Sequence, residues 1–445
     1  MRLVGRIVPV AERCAAAAAV LSIGLVLSVA AGVAVASAGV TLCIQEREGG
    51  SVKTPKGGAC KKGYKLTELG AEGTEGRVGR EGAPGKQGPE GKEGKEGPEG
   101  KSPFTAEEQA TLKALLPYIT VEKEGVGGKP TVRFSGVNVQ IVNGEGKTET
   151  ANGSGNLVVG YDENGGTRQT GSHDLILGGE QTFTSFGDLV AGWGNSAEGP
   201  WDSVTGGRSN SAEAPFASVS GGQFNAARGR MASVSGGERN EATGTSAAIT
   251  GGLRGLATGE WAWVGGGDEG TASEMAGSVS GGFGGCGCGP YASVSGGLES
   301  IAAAPYASVS GGMHNVALHD GASVSGGEHN EANGPAASIA GGQHNKAIGQ
   351  ADSVTGGELN AAYGDATTIV GGAENTASGT GDVISGGFQN RSEGPEATVS
   401  GGFLNAALAG HSWIGGGAKN TANGLYSAIF GGVLLTTTAF GEAVP

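Results

Sequence analysis

The C-terminal part of the chain repeats small and apolar residues at a fixed interval of 15 positions. Gly-Gly pairs begin at Gly206 and recur without an insertion to Gly431, and Ala191-Gly192 is an earlier variant of the pair, which makes 17 units. An aliphatic residue lies two positions before the first member of every pair. These aliphatics are Leu189, Val204, Val219, Val234, Ile249, Val264, Val279, Val294, Val309, Val324, Ile339, Val354, Ile369, Ile384, Val399, Ile414 and Ile429.

The spacing within one unit predicts a coil of β-strands. Counting from Val204, the repeated small or apolar positions are Gly206, Asn210, Ala212 and Ala214, and each lies an even number of residues away. Even spacing places side chains on one side of an extended chain, so we expect these positions to face inward. Gly pairs and β-branched residues oppose an α-helix. The prediction is an all-β fold, a parallel β-solenoid or β-roll with one coil per 15 residues over 156–432, followed by a cap or tail over 433–445.

Stacked coils should bring equivalent residues about 4.8 Å apart. Val219, Val234 and Ile249 then form one inward column. Asn occupies its inward position in 12 of the first 16 units, and stacked amides can hydrogen-bond to the neighbouring coils. Four consecutive units lack this Asn, and the same stretch holds two Trp and two Cys residues. We interpret it as an irregularity of the repeat, with a ligand-facing patch as the alternative. The four replacements are Gly255, Gly270, Gly285 and Ser300.

A different period occupies residues 70–101. Glycine stands at every third position from Gly70 to Gly100 without a miss. Only Gly fits at the axis of three wound polyproline chains, so this segment resembles a bacterial collagen-like stalk and predicts a trimer. A charged, disordered linker is the alternative.

The segment 102–155 is predicted to be a neck and connector. Thr105 and Glu108 have capping-box spacing, and Leu112, Leu115 and Leu116 follow at helical spacing before Pro117. We expect a short α-helix that either clamps three chains together or docks on the next domain. Further on, apolar residues alternate with polar ones, which predicts a strand. Its apolar positions are Val132, Phe134, Val137, Val139 and Ile141.

The N-terminus predicts export. Three Arg residues precede an uncharged stretch from Cys14 to Gln45, and Ala36-Ser37-Ala38 offers a cleavage site for signal peptidase. Residues 1–38 are therefore a signal peptide or an N-terminal membrane anchor. Both alternatives place the remainder outside the cytoplasm, in an extracellular or cell-surface location.

The cysteines suit an oxidising compartment. Cys43 and Cys60 flank a short loop in the segment 39–69, and we expect them to form a disulfide. Cys286 and Cys288 form a second pair. No further Cys or His lies nearby to complete a zinc site, so a local or inter-chain disulfide is favoured over zinc.

Composition argues against an enzyme. Of 445 residues, 92 are Gly and only 5% are aromatic, which is too few large side chains for a globular catalytic core. The net charge of −14 disfavours nucleic acid and anionic lipid as partners. Serine is frequent because it flanks the repeat aliphatic, and no nucleophile and base stand apart from the repetition. We therefore predict no catalytic residue and no cofactor.

One column of histidines is the remaining site-like feature. His314, His329 and His344 occupy the same position in three consecutive units. Adjacent imidazoles could bind a transition metal or sense acid. Because this outward position varies in the other units, we interpret the column as a solvated face and predict no metal site.

The repeat Ser-Val-x-x-Gly-x-x-Asn/Ser-x-Ala-x-Gly resembles the head repeats of trimeric autotransporter adhesins of the YadA type. In that family, left-handed parallel β-rolls associate as trimers and bind host matrix or cells. The resemblance, over residues 156–432, therefore implies a left-handed roll, a homotrimer and an adhesive role. The chain departs from the family in its strict 15-residue unit, in the Gly that replaces the second aliphatic, and in its collagen-like stalk on the N-terminal side.

Two functions are compatible with these features. The first is an exported, homotrimeric, adhesin-like surface protein whose repetitive roll binds extracellular matrix, cells or itself. The alternative is a solenoid that binds ice or another crystal surface, because Ser and Thr flank the repeat aliphatic in regular files. Serine predominates over the threonine that such faces usually need, with nine Ser against two Thr on the preceding side, so the first function is preferred.

Overall fold

A computed structural model describes residues 40–45, 52–53, 59–69, 103–163 and 168–445. Two compact units are present, one ending at Pro103 and the other running from Phe104 to Pro445. The predicted signal peptide or anchor over 1–38 and the predicted collagen-like segment over 70–101 lie outside the described residues. No helix among the described residues is long and apolar enough to cross a membrane.

The first unit contains a small antiparallel sheet. Its central strand, Val40–Gln45, pairs with Val52–Lys53 on one side and with Tyr64–Leu69 on the other. Cys43 is buried and is joined to Cys60 by a disulfide with a Cα–Cα distance of 5.6 Å. This crosslink fastens the central strand to the segment that leads into the third strand.

The second unit begins with the helix Ala106–Leu115, which continues as a 3₁₀ turn, Leu116–Tyr118. The capping box is present: the Glu108 backbone N–H donates to Thr105 Oγ1 at 3.2 Å, and the Thr105 backbone N–H donates to Glu108 Oε2 at 2.8 Å. Leu112 is 41% exposed, so the apolar side of the helix is open to solvent. Its role as a trimeric neck stays a prediction.

A hairpin follows the helix. Strand Ile119–Glu122 pairs with Thr131–Phe134 in antiparallel register, and a 3₁₀ turn, Val126–Gly128, lies between them. The prediction that this second strand continues through Val137, Val139 and Ile141 is wrong. The first strand offers only four residues for pairing, and the bond from the Ser135 N–H to the Tyr118 carbonyl ends the ladder.

From Leu157 onward the chain forms the predicted parallel β-solenoid. One ladder of strands carries the repeat aliphatics, and we call it the valine ladder. Its strands are Leu157–Val159, Leu175–Gly179, Leu189–Trp193, Ser203–Val204, Ser218–Val219, Ser233–Val234, Ala248–Ile249, Trp263–Val264, Ser278–Val279, Ser293–Val294, Ser308–Val309, Ser323–Val324, Ser338–Ile339, Ser353–Val354, Thr368–Ile369, Val383–Ile384, Thr398–Val399, Trp413–Ile414, Ala428–Ile429 and Ala443–Val444.

A second parallel ladder carries the inward alanines, and we call it the alanine ladder. Isolated bridges, one per coil, form a third ladder from Trp193 to Val433 just after the glycine pairs. The strands of the alanine ladder are Thr182–Phe183, Ser196–Ala197, Ser211–Ala212, Ala226–Ala227, Glu241–Ala242, Leu256–Ala257, Thr271–Ala272, Cys286–Gly287, Ile301–Ala302, Val316–Ala317, Glu331–Ala332, Lys346–Ala347, Ala361–Ala362, Thr376–Ala377, Arg391–Ser392, Ala406–Ala407, Thr421–Ala422 and Thr436–Thr437.

The core is a narrow stack of the repeated side chains. Val219, Val234 and Ile249 pair in register and are at most 1% exposed, as the sequence predicts. The alanines of the second ladder are equally buried. Each coil therefore contributes one aliphatic and a few small side chains, so its apolar surface is covered mainly by the coils above and below it.

Two details of the predicted register are wrong. Val190, and not Leu189, is the inward residue, because Val190 pairs with Val204 while Leu189 pairs with Ser203. The first glycine of each pair does not face inward either: a Cβ on Gly221 would meet no atom within 4 Å. The even-number rule holds along an extended segment, and it fails at the glycine pair because the chain turns a corner there. Val190 is inward for a different reason: it pairs with Val204 at a separation of 14 residues, one fewer than in the later coils.

Candidate binding surfaces

One outer surface of the solenoid is free of charge. We call it the serine face: the two residues that flank the inward aliphatic in each strand of the valine ladder, from Ser203 to Phe430. Over 16 coils these positions hold no Asp, Glu, Lys or Arg. The residue before the aliphatic is half-buried in nearly every coil, and the residue after it is exposed in most.

The two tryptophans on the serine face each lie beside a glycine of the same strand. Trp263 and Trp413 replace the usual small residue before the aliphatic, and in both coils Gly replaces the residue after it. A Cβ on Gly265 would lie 2.8 Å from Trp263 Cη2, so the indole ring lies along the position that a side chain would fill. The indole Nε1 of Trp413 donates to Ser400 Oγ of the preceding coil at 3.1 Å.

The outer surface of the alanine ladder is different, because it carries ion pairs between coils. Lys346 Nζ lies 3.2 Å from Glu331 Oε2, and Arg228 contacts both Glu213 and Glu241. Exposed pairs of this kind contribute little to stability. Their presence shows that charge is accepted on this side of the coil.

A column of asparagine amides runs inside the solenoid, as the sequence predicts. The Asn375 backbone N–H donates to Asn360 Oδ1 at 3.1 Å, and Asn360 Nδ2 donates to the carbonyls of Gly356 and Gly372 at 3.0 and 2.9 Å. The same pattern recurs wherever consecutive coils carry Asn. Each side-chain amide therefore links the glycine corner of its own coil to the next coil, and its Nδ2 and Oδ1 atoms are both hydrogen-bonded.

The column is broken where the four consecutive units lack Asn. The buried apolar residues also separate there into two clusters, one ending at Ala272 and the other beginning at Val279. Trp261 is 55% exposed at an outer corner, away from the serine face. Cys286 and Cys288, also in this stretch, are joined by a disulfide within the chain, which is the local alternative named above.

A set of buried carboxyl groups escaped the sequence analysis. Asp174, Asp188 and Asp202 stack in three consecutive N-terminal coils and are at most 3% exposed. The Asp188 backbone N–H donates to Asp174 Oδ1 at 2.9 Å, and Asp202 donates to Asp188 in the same way. Asp occupies the inward position two residues before the aliphatic, where other units have Ala217 or Ala232. That replacement was the signal available in the sequence.

Burial dominates the titration of these carboxyl groups. It raises the pKa of Asp174 to about 7, that of Asp188 to about 6 and that of Asp202 to about 7, and backbone hydrogen bonds oppose the rise only in part. Oδ2 of Asp174 and Oδ2 of Asp188 have no hydrogen-bond partner in the described part of the chain.

The histidine column is formed, and its rings lie at the outer corner of three coils. The ring centroids of His314 and His329 are 4.8 Å apart, and those of His329 and His344 are 4.9 Å apart. His314 Nδ1 lies 3.3 Å from Glu299 Oε2. Among the described residues, no group of three or more His, Cys, Asp or Glu side chains is arranged to hold a metal ion.

Sequence comparison with known proteins identified no relative of this chain. The chain matches no protein-family model and no curated protein sequence. The repetitive parallel β-solenoid with its uncharged face is therefore the description that the structure supports.

Proposed function

We propose that this chain is an exported, homotrimeric, adhesin-like structural protein of the cell surface, which presents the solenoid for binding matrix, cells or other copies of itself. The observation that carries the proposal is the serine face, which stays uncharged over 16 coils while the alanine ladder carries ion pairs. A surface without charge costs less to dehydrate than a charged one, and the small Ser, Thr and Ala side chains in most coils of this face admit close approach.

Trimerisation is supported by the glycine period of residues 70–101, since strict Gly-x-y spacing is useful only in three strands. The exposed leucines of the helix Ala106–Leu115 offer a second contact for the same three chains. Weak contacts at several places along one chain reinforce each other by raising the local concentration.

Light scattering tests the trimer directly. We expect the chain at micromolar concentration to have three times the monomer mass and a collagen-like circular dichroism signal below about 20 °C. A monomeric mass without that signal would refute the proposal.

Charge placed on the serine face tests the binding surface. Ser308→Glu with Ser323→Glu should weaken association or adhesion to a matrix-coated surface by at least about tenfold, because unpaired carboxylates must then be dehydrated. The matched control is Ala361→Glu with Thr376→Glu, which also lie in adjacent coils, on the outer side of the alanine ladder where Glu241 and Glu331 already occur. Equal effects of the two pairs would contradict a role for the serine face.

A second function is favoured by one observation, the regular files of hydroxyl groups on the serine face. Parallel register places Ser218 directly beside Ser233, so hydroxyls repeat at the strand spacing along the solenoid. A solenoid that binds ice or another crystal should lower the freezing point below the melting point of its solution. Absence of this hysteresis at about 100 µM chain would exclude the ice-binding alternative.

A further inference from the structure

The pair Cys286 and Cys288 lies in a coil where the two ladders approach each other closely. Gly287 replaces the alanine of the second ladder, and Gly277 replaces the alanine that lies opposite in the first. A Cβ on Gly287 would lie 2.6 Å from the Ser278 carbonyl oxygen, so the two ladders approach each other here more closely than a side chain allows. This is also where the buried apolar core divides into two clusters.

Gly287 also allows Cys286 and Cys288 to lie closer together than they would in a fully extended strand. The Cα atoms of Cys286 and Cys288 are 5.2 Å apart, whereas two residues of an extended strand span about 6.6 Å. The shorter distance is closer to the most frequent Cα–Cα separation of disulfides, about 5.5–6 Å. Glycine between the two cysteines allows this contraction because it has no side chain to place in the narrowed core.

This crosslink does little to hold the fold together. Its sequence separation is 2, against 17 for Cys43 and Cys60, and a disulfide restricts the unfolded chain less as its loop becomes shorter. Every backbone position around it is already held by the ladders: Cys286 pairs with Thr271 and Ile301 of the neighbouring coils. A structural explanation for the pair is therefore weak.

Both cysteines are open to the outside. They lie on the outer side of the alanine ladder and are half-buried, while Cys43 is 4% exposed. The residues at the same outward position in the neighbouring coils are Ser273 and Ala303, which are small and uncharged. Cys286 instead lies between the β-branched Thr271 and Ile301, so we expect the sulfur of Cys288 to be the less hindered of the two.

We propose that Cys286 and Cys288 form a thiol–disulfide exchange site that captures an external thiol. The thiolate of the incoming molecule attacks Sγ of Cys288, a new S–S bond forms to that sulfur, and the bond to Cys286 breaks with Cys286 leaving as a thiolate. The number of disulfide bonds is unchanged, so no oxidant is needed. The incoming thiol is a small thiol or the cysteine side chain of another protein, which share this chemistry.

Glutathione is the probe for this site. The full chain is incubated without denaturant at pH 8 with reduced glutathione, quenched with acid, alkylated with N-ethylmaleimide and mapped by peptide mass spectrometry. We expect glutathione on Cys288 and alkylated Cys286, or both cysteines alkylated once a second glutathione has displaced the first. The Cys43 to Cys60 disulfide is the internal control and should open at least about tenfold more slowly, because Cys43 is buried.

Three outcomes would overturn the proposal. The first is a Cys286 to Cys288 disulfide that opens no faster than the control. The second is glutathione found on Cys286, which would contradict the assignment of the attacked sulfur. The third is a loss of stability in the double variant Cys286→Ser, Cys288→Ser, whose thermal unfolding should stay within about 2 °C of the parent chain.

A cysteine-containing peptide and its serine counterpart distinguish the two sources of thiol. Capture of the cysteine peptide at a rate similar to glutathione indicates a site open to protein thiols. Capture of glutathione alone indicates a site restricted to small thiols. Failure of both contradicts the exchange site and leaves the proposed adhesive role of the serine face untouched, since the two lie on different ladders.

Discussion

The buried carboxyl groups of the first coils show how a single residue changes the stability of this solenoid. Asp188 lies between Asp174 and Asp202, and its raised pKa means that the folded chain keeps a proton which the unfolded chain would release. Between about pH 4 and the folded pKa values of about 6 to 7, the folded state therefore binds more protons than the unfolded state. The free energy of unfolding of these coils falls as the pH rises through that window.

Asp188→Asn should therefore stabilise the N-terminal coils at pH 8 by about 2 kcal/mol, because an amide keeps the acceptor for the Asp202 N–H without a buried charge. Hydrogen exchange of peptides within residues 170–205 measures the effect at pH 5 and pH 8, after correction for the intrinsic exchange rate. The gain should shrink at pH 5. The control is Glu241→Gln, since this carboxylate is exposed on the outer side of the alanine ladder. A larger gain at pH 5 than at pH 8 would contradict the burial argument.

At the scale of the element, the two glycines of each pair have different roles. Gly327 has φ +88°, and a Cβ there would overlap the carbonyl oxygen of Gly342 in the next coil. A Cβ on Gly326 would meet nothing within 4 Å, and its φ lies outside the left-handed range. The second glycine is therefore required by the turn and by coil stacking, whereas the first is not.

Gly327→Ala should cost about 3 kcal/mol, because the strained backbone and the overlap with the next coil add together. Gly326→Ala should change the stability by less than about 1 kcal/mol. Chemical denaturation of the two variants, followed by circular dichroism, provides the comparison. Similar losses in both variants would mean that the turn is not as the structure describes it.

At the scale of the whole molecule, each coil of the solenoid contacts mainly its two neighbours. Strand Ser338–Ile339, for example, pairs only with Ser323–Val324 and Ser353–Val354 in the valine ladder. Stability is then close to a sum of coil and interface contributions, and one coil more or less changes it little.

Deleting the 15 residues 340–354 should therefore leave a folded solenoid with a thermal midpoint within about 3 °C of the parent chain, since Thr355 then takes the position of Ala340. Deleting only 340–353 is the matched control. It shifts Val354 to an outward position and moves Asn360 out of the amide column, so its midpoint should be clearly lower. Differential scanning calorimetry measures both, and equal midpoints would contradict a fixed 15-residue register.

The sequence alone determined the period, the fold class and most of the core. Val219, Val234 and Ile249 could be placed in one column because parallel strands in a repeat must stack equivalent residues, and the Asn column follows from the same rule. These predictions needed only the alternation of side chains along an extended chain and the constant length of the unit.

Only the tertiary structure decided the features that lie at the corners. The corner residues adopt left-handed backbone angles, as at His329 with φ 53°, and each such residue resets which side the next side chain faces. The first glycine of each pair is outward for this reason. Val190 rather than Leu189 is inward, and Asp188 is buried, because these residues pair with Val204 and Asp202 at a separation of 14 residues, one fewer than the repeat. Counting along the chain cannot give the orientation after a corner, because the geometry of the turn depends on contacts with the coils above and below it.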